Sequence, residues 1–523
     1  MLNIEIFIGL LAGVALLAAI AERVGLPHPA VLVLGGLLLG LIPGLPTVHL
    51  EPRLVFLGLL PPLVYAAAFK AASFDLRAQA THILTLSTVL VALTVVAAAV
   101  VGHLVAGLPW VAAVTLGALV APTDPVSASS VLRAVGAPDR ILAILEGESL
   151  VNDGTGLAIF QVAVAAAAGG SISVGHEVWK FVLISVGGVA IGLVGGWLLV
   201  KVRSRFDDPT LEIVLGLLAA FGPYTAASAV GCSGVLAAVA TGVYAGRQAE
   251  DMSSAETRLR VEPFWDALTF VLESVLFLLI GLQLRSIASG LNVPLGTGIA
   301  EGIAIVAAVF AVRALWMVAL RGLRPVLGRL APSRAEPLSS PELTVLGFSG
   351  MRGALSLAGA LSIPVLVSGH PFPARDEVIF VVYVVVIGTL LGPSLTLEPL
   401  IRRLGLATGE QVQQEEIRAR ARVIHAGLAR LEELAGESDV PEEAVARLRE
   451  LAELRLQRLD ARAHRGEDDG DRDDIDSTVL RLRREIIAQQ RRTIGEMRDQ
   501  RAAPAQVLAR IQRDIDLDEV RLH

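Results

Sequence analysis

The sequence predicts an all-α polytopic membrane protein with a helical, water-soluble C-terminal tail. Of its 523 residues, 54% are hydrophobic and 18% are charged, and the mean hydropathy is +0.64. This is more apolar than a soluble chain of such length. The charges are also unevenly distributed, since residues 410–523 contain 47 of the 95 Lys, Arg, Asp and Glu residues. We therefore predict a transmembrane domain over residues 1–405 and a tail over residues 406–523.

The apolar runs predict the number of spans. A hydrocarbon core of about 30 Å needs a helix of roughly 17–25 apolar residues. The sequence contains thirteen candidate runs, and a count of twelve to fourteen stays open because the second run is short and the eighth and ninth are nearly fused. The runs cover residues 4–22, 29–42, 54–69, 81–104, 109–132, 140–167, 177–200, 210–228, 230–246, 263–284, 297–320, 341–367 and 377–400.

Lysine and arginine predict the orientation, because cytoplasmic loops carry an excess of both. With the N-terminus outside, inward loops hold fifteen of these residues and outward loops or span ends hold four. The tail, which opens with Arg402 and Arg403, is then cytoplasmic. The net charge of −7 argues against a nucleic-acid partner.

Two predicted spans are interrupted. The fifth contains Ala121–Pro125, where two prolines remove backbone donors, and the twelfth contains Gly347–Gly353, with three glycines and an arginine. They stand seven spans apart, as two six-span repeats joined by one linker helix would place them. Interrupted helices in corresponding positions indicate a transporter's ion site at the membrane midplane.

Polar side chains also interrupt the apolar stretch from Ile141 to Gly169. Glu148 and Asn152 stand four residues apart, as do Ser149 and Asp153, so a helix places all four on one face. Ionisable groups inside a membrane span are costly and usually mark an ion or proton path. We expect this face to hold a small cation.

Asp153 and Asp124 are the candidates for a site that holds either a proton or a cation. Burial favours the neutral form of a carboxylate, and a nearby cation favours the ionised form. Exchange is coupled if the bare carboxylate does not cross between access states. Two structural roles stay open: Asp153 as a buried aspartate bonded to a helix end, and Asp124 as a helix N-cap after the proline break.

Thr123 and Ser149 complete the predicted metal site. Sodium is a hard cation that prefers oxygen ligands. A backbone or hydroxyl oxygen of Thr123, the Ser149 hydroxyl and the two carboxylates can form such a cage, with water completing it.

A buried arginine needs a charged partner. Arg352, in the second interrupted span, is therefore predicted to form a structural ion pair with Glu148, although Glu148 in contact with the ion is the alternative. Arg313 and Glu273 also lie in apolar runs. Either can snorkel or pair, and the sequence assigns neither a role.

Three segments now carry a family resemblance. Ala121–Val126, Gly147–Gly154 and Gly350–Ala354 resemble, in order and spacing, three signatures of the bacterial Na⁺/H⁺ antiporters of the cation:proton antiporter-1 (monovalent cation:proton antiporter) family. Leu508–Glu519 resembles the tails of bacterial members. The resemblance implies a thirteen-helix fold of two inverted six-helix repeats whose interrupted helices cross at the midplane. It also implies a core domain moving against a dimerisation domain, and a homodimer.

The same resemblance assigns roles to residues. It implies ion and proton binding at Asp153 and Asp124, and ion coordination by Thr123 and Ser149. It also implies a supporting polar role for Asn152 and Glu148, and a bracing role for Arg352.

The expected activity is secondary active exchange of Na⁺ for H⁺ by alternating access, with Li⁺ or K⁺ as other cargo and a K⁺/H⁺ antiporter as the alternative. Electrogenic relatives have two adjacent aspartates where this chain has Asn152 and Asp153. The amide removes one titrating charge, so electroneutral 1:1 exchange is expected. No cofactor is expected, and the cell membrane, pH homeostasis and salt tolerance follow as location and roles.

Two other classes are disfavoured. A serine hydrolase needs a base and an oxyanion site near its nucleophile. No histidine lies in a predicted span centre, and Gly147–Val151 lacks the Gly-x-Ser-x-Gly elbow. An aspartyl hydrolase is harder to dismiss, but broken helices favour transport. A channel would line a pore with repeated carbonyls or charged rings. The protein is therefore not expected to be an enzyme.

Overall fold

The computed structural model describes residues 4–43, 50–72, 79–167, 174–206, 208–252, 255–291, 293–330, 337–407, 409–435 and 441–463, with isolated positions beyond residue 485. The chain forms two compact units, Met1–Gly409 and Glu410–His523.

The first unit is built from helices and one short hairpin. Its first half contains α1 (Ile4–Val24), α2 (His28–Gly40), α3 (Pro52–Leu54), α4 (Leu60–Ala71), α5 (Ala80–Leu84), α6 (Val91–Val105), α7 (Trp110–Val120), α8 (Val126–Val135) and α9 (Asp139–Ala167), with π-helical turns at Val55–Leu59 and Thr85–Leu90. Its second half contains α10 (Val174–Arg203), α11 (Pro209–Ala229), α12 (Gly234–Met252), α13 (Ala255–Leu282), α14 (Leu284–Ser289), α15 (Leu295–Leu330), α16 (Ser340–Phe348), α17 (Ala354–Leu361), strands β1 (Leu366–Val367) and β2 (His370–Pro371), paired antiparallel, and α18 (Arg375–Arg403).

Within the described residues, nine helical segments are long and apolar enough to cross a membrane, and α2, α7 and α8 are shorter apolar helices. The predicted all-α polytopic membrane fold is confirmed. The count of thirteen spans stays a prediction.

Helix α18 lies at the centre of the first unit. In its most apolar 18-residue window 67% of the residues are buried, against 17% in α1 and in α10. A helix that is apolar on all sides belongs inside a bundle, whereas one apolar face suffices at the lipid boundary. The main hydrophobic core accordingly includes Phe380, Val382 and Val386 of α18, packed with residues of α2, α7 and α13.

The two predicted breaks are both present. Helix α7 ends at Val120 and α8 begins at Val126. Helix α16 ends at Phe348 and α17 begins at Ala354. Pro122 and Pro125 have no N–H with which to continue the hydrogen bonding of α7.

Small residues let α2 and α13 approach closely. The Cα atoms of Gly36 and Gly281 face each other, and a Cβ added to Gly281 would stand 2.7 Å from the Cα of Gly36. Such contacts replace the hydrophobic effect as a source of helix association in a membrane, because they maximise van der Waals packing.

The second unit contains α19 (Gly409–Leu434) and α20 (Glu442–Ala463). Both helices agree with the helical tail that the sequence predicts, and most of residues 464–523 lie outside the described residues.

Substituting Gly281→Ala should destabilise the α2–α13 contact. The new methyl group would meet the Val33 carbonyl oxygen and the Gly36 backbone, and overpacking of this kind costs about 1–3 kcal/mol. The melting temperature of the detergent-solubilised protein should fall. Gly392→Ala in α18 is the matched control, because within the described part of the chain its added Cβ would contact no neighbouring element within 4 Å. Equal melting temperatures for the two variants would contradict this.

Candidate ion-binding site

The two interrupted helices cross at their breaks, where a backbone hydrogen bond joins them. The Asp124 N–H donates to the Met351 carbonyl over 2.8 Å. In a continuous helix that N–H would donate to the Val120 carbonyl, four residues earlier. Gly353 makes the approach possible, because a Cβ there would collide with the Asp124 carboxylate.

Arg352 satisfies the carbonyl that the break leaves free. Its side chain is 1% exposed, and its Nε donates to the Val120 carbonyl over 2.8 Å. One of its terminal nitrogens donates to the Gly350 carbonyl, and its backbone N–H donates to the Thr389 hydroxyl. The Arg352 guanidinium therefore donates hydrogen bonds at the C-terminal ends of both α7 and α16. The helix dipole favours positive charge at these ends. The bracing role implied for Arg352 is consistent with these contacts.

Asp124 stands between the break and the start of α8. Its Oδ1 accepts a hydrogen bond of 3.0 Å from the N–H of Val126, the first residue of α8. The N-cap itself is Pro125 and carries no side-chain cap bond, so the predicted N-cap role of Asp124 is wrong by one residue. The N-terminus of a helix also favours a carboxylate electrostatically. This structural contact uses one carboxylate oxygen and leaves Oδ2 on the side of Gly353.

Asp153, which belongs to α9, lies near Asp124 at the first break. The two carboxylates of Asp153 and Asp124 lie within electrostatic range of each other. Helix α9 reaches the break because Gly156 packs against the ring of Pro122, where a Cβ would clash. Among the described residues, neither carboxylate forms an ion pair. The structure thus brings together the two aspartates that the sequence singled out.

A buried hydrogen-bond chain connects the break with α9. The Asn152 amide nitrogen donates to the Thr123 hydroxyl over 2.8 Å, and that hydroxyl donates to Glu148 Oε1 over 3.3 Å. The amide oxygen of Asn152, in a residue with 0% exposure, has no partner among the described residues. Ser149 is also buried at 6% exposure, and its position one turn before Asp153 places both on one face of α9.

The predicted ion pair between Glu148 and Arg352 is wrong. Glu148 pairs instead with Arg313 of α15, whose two terminal nitrogens lie 2.5 and 2.8 Å from the two carboxylate oxygens. Arg313 also donates from Nε to the Leu346 carbonyl over 2.9 Å. Arg352 has no need of Glu148, because backbone carbonyls occupy its guanidinium. The sequence signal for Arg313 was its place in an apolar run, but nothing in the sequence distinguished the two arginines as partners.

Removing Arg313 should be strongly destabilising. The substitution Arg313→Met leaves the Glu148 carboxylate buried at 1% exposure without its cation, and breaking a buried pair in this way costs about 3–5 kcal/mol. We expect a large drop in the melting temperature in detergent, recovered in part by the double variant Glu148→Gln, Arg313→Met.

The control is Arg402→Met, which removes an exposed pair with Glu398 in α18. Exposed pairs contribute about 0–1 kcal/mol, so its melting temperature should hardly change. If Arg313→Met behaved like Arg402→Met, the pair would not support the site.

Comparisons with known proteins agree on one family. The model of the transmembrane sodium/hydrogen exchanger family matches residues 10–403. An uncharacterized Na⁺/H⁺ exchanger of Mycobacterium tuberculosis is 32% identical and covers 98% of this chain and 96% of its own length. A sodium, potassium, lithium and rubidium/H⁺ antiporter of Bacillus pumilus is 32% identical over 76% of this chain and 61% of its own length.

A solved structure shares the fold. The sodium proton antiporter MjNhaP1 of Methanocaldococcus jannaschii superposes with a TM-score of 0.59 at 20% identity, and it covers 76% of this chain and 96% of that one. The family model spans most of the chain, including both breaks and the polar face of α9. The chain therefore belongs to the sodium/hydrogen exchanger family.

Proposed function

We propose that this protein is an electroneutral antiporter that exchanges Na⁺ for H⁺ by alternating access, with Asp153 and Asp124 as the competing proton and cation site. One observation carries the proposal. One carboxylate from the first break and one from α9 interact electrostatically at the crossing of the two broken helices, and among the described residues neither forms an ion pair.

The positive charges nearby are already engaged. Arg313 is neutralised by Glu148, and Arg352 is held by the carbonyls of Val120 and Gly350. The aspartates are therefore left to be compensated by something that comes from outside the protein. A proton or a small monovalent cation is the ligand that a pair of buried carboxylates attracts.

Uncharged oxygens support the same proposal. The amide oxygen of Asn152, which has no partner among the described residues, can coordinate a cation without breaking an existing hydrogen bond. The Ser149 hydroxyl and the Thr123 backbone carbonyl are further oxygens of the kind that hard cations prefer. The Thr123 hydroxyl is committed to Asn152 and Glu148, so its backbone oxygen is the ligand that we propose.

The charge count favours 1:1 exchange. Glu148 is fully matched by Arg313, and position 152 is an amide rather than a second acid. The two aspartates already repel one another, and one cation or one proton relieves that repulsion in turn. Exchange of one Na⁺ for one H⁺ then moves no net charge.

K⁺/H⁺ exchange is the alternative for the cargo. The relative from Bacillus pumilus is named for transport of sodium, potassium, lithium and rubidium, so a chain of this family is compatible with several cations. We propose Na⁺ first, with Li⁺ and K⁺ as competitors.

We also propose a homodimer in the plasma membrane, with the N-terminus outside and the tail in the cytoplasm. The orientation rests on the Lys and Arg distribution of the loops. Export of Na⁺ against inward H⁺ would serve pH homeostasis and salt tolerance.

Asp153→Asn should abolish exchange. The amide cannot release a proton or carry the charge that attracts the cation, so Na⁺ added to everted vesicles with an acid interior should no longer dissipate the pH gradient. A pH-sensitive dye reports this directly. Asp139→Asn is the control, because Asp139 is an exposed residue at the start of the same helix. Exchange retained by a well-folded Asp153→Asn protein would remove Asp153 from the central role.

Exchange should not depend on the membrane potential. In proteoliposomes with equal pH gradients, the initial rate of Na⁺-driven H⁺ movement should be the same with and without an imposed potential. A potential-sensitive dye should register no change in membrane potential when Na⁺ starts the exchange. A rate that follows the potential would show that more than one proton is exchanged per cation.

A further inference from the structure

We propose that Glu273 is a further transport residue, an accessory carboxylate that passes the cation between a cavity on the predicted cytoplasmic side and the site at Asp124 and Asp153. This role rests on the antiport proposed above. It concerns the path to the site, which the motifs of the break and of α9 do not include.

Glu273 lies within the apolar part of α13. Its neighbours Leu272 and Val275 pack against the main hydrophobic core, and its own side chain is partly buried. Among the described residues its carboxylate forms no ion pair. The charged residues that interact electrostatically with this carboxylate are Asp124, which repels it, and Lys70, which attracts it. A carboxylate used only to stabilise the fold would be matched, as Glu148 is by Arg313.

Three acids follow one face of α13. Glu262, Asp266 and Glu273 are spaced by four and then seven residues, which returns to the same face of a helix. At 1.5 Å per residue, Glu273 lies about 10 Å along the helix from Asp266. Asp266 binds Lys70 of α4 over 2.5 Å, so the same lysine faces both acids.

The N-terminal part of this helix face, which holds Glu262 and Asp266, lines a cavity. Glu262 and Asp266 border a volume of about 500 Å³ together with Lys70, Arg133 and Arg258. These basic residues belong to the loops and helix ends predicted to face the cytoplasm. The cavity therefore begins on the predicted cytoplasmic side. The same face of α13 continues from the cavity to Glu273, which interacts electrostatically with Asp124.

The charges explain what Glu273 does there. Two like charges in an apolar setting repel each other unless a cation lies between them. A Na⁺ ion leaving the cavity is thus attracted first to Glu273 and then to the aspartates. Lys70 opposes this attraction, and Asp266 restrains Lys70 by pairing with it. Glu273 raises the local concentration of the cation at the entrance of the site.

The test is the Na⁺ dependence of exchange at the cytoplasmic face, measured in everted vesicles for Glu273→Gln, Glu273→Asp and Lys70→Gln. For Glu273→Gln the apparent KM for Na⁺ should rise about tenfold, the low end of electrostatic focusing, and the maximal rate should change little. Glu273→Asp should stay close to the wild type. Lys70→Gln should lower the apparent KM, a reversal that a purely structural role for Glu273 does not produce.

Glu301→Gln is the matched control. Glu301 is another acid within an apolar span, but its electrostatic neighbour is Glu377 rather than Asp124, so its KM should equal that of the wild type. If wild-type vesicles show no Na⁺-dependent H⁺ movement, the antiport itself fails. If the wild type exchanges and Glu273→Gln keeps its KM while folded, only the role of Glu273 is overturned.

Discussion

The structure depends on satisfying the backbone at the point where two helices are broken inside the membrane. The hydrocarbon core offers no water, so every free N–H and C=O must find a partner within the protein. The first break exchanges its lost helical bond for two contacts with the other broken helix. The Asp124 N–H donates a hydrogen bond to the Met351 carbonyl, and the Val120 carbonyl accepts one from the Arg352 side chain. The crossing is therefore held by the atoms that the breaks release.

This solution determines the charge of the site. Arg352 is fixed on carbonyls, and Arg313 is fixed on Glu148. Neither arginine is then available to Asp124 or Asp153, although both lie in the same unit and are almost fully buried. The close packing of Gly353 on Asp124 and of Gly156 on Pro122 keeps bulky side chains out of the crossing. What remains is an oxygen-rich site with two carboxylates, whose neighbouring arginines are held by Glu148 and by backbone carbonyls.

The sequence predicted the elements of this site better than their pairing. The two prolines of the first break and the glycines of the second are local signals, because each acts on its own backbone. The face of α9 followed from helical spacing alone. The partner of Glu148 did not, because Arg313 is 165 residues away and the choice between two buried arginines depends on how α15 packs. The predicted N-cap of α8 was also displaced by one residue, because Pro125 takes that position and Asp124 bonds to the Val126 N–H from the residue before it. That contact uses Oδ1 of Asp124 and is compatible with the proposed role of the carboxylate in binding ions.

The same charges provide a physical reason for coupling. In the alternating-access exchange that we propose, an empty site would carry uncompensated carboxylates through an apolar surrounding, whereas a bound Na⁺ or proton would remove part of that penalty. A penalty of about 2.7 kcal/mol on the empty form slows its movement roughly a hundredfold relative to the loaded forms. Under the proposed mechanism, exchange would then be faster than leakage without any separate gate. Asp124 belongs to the crossing of the broken helices, and Asp153 belongs to the unbroken helix α9. The free-energy penalty on the empty site would therefore act on both of the elements that form the site.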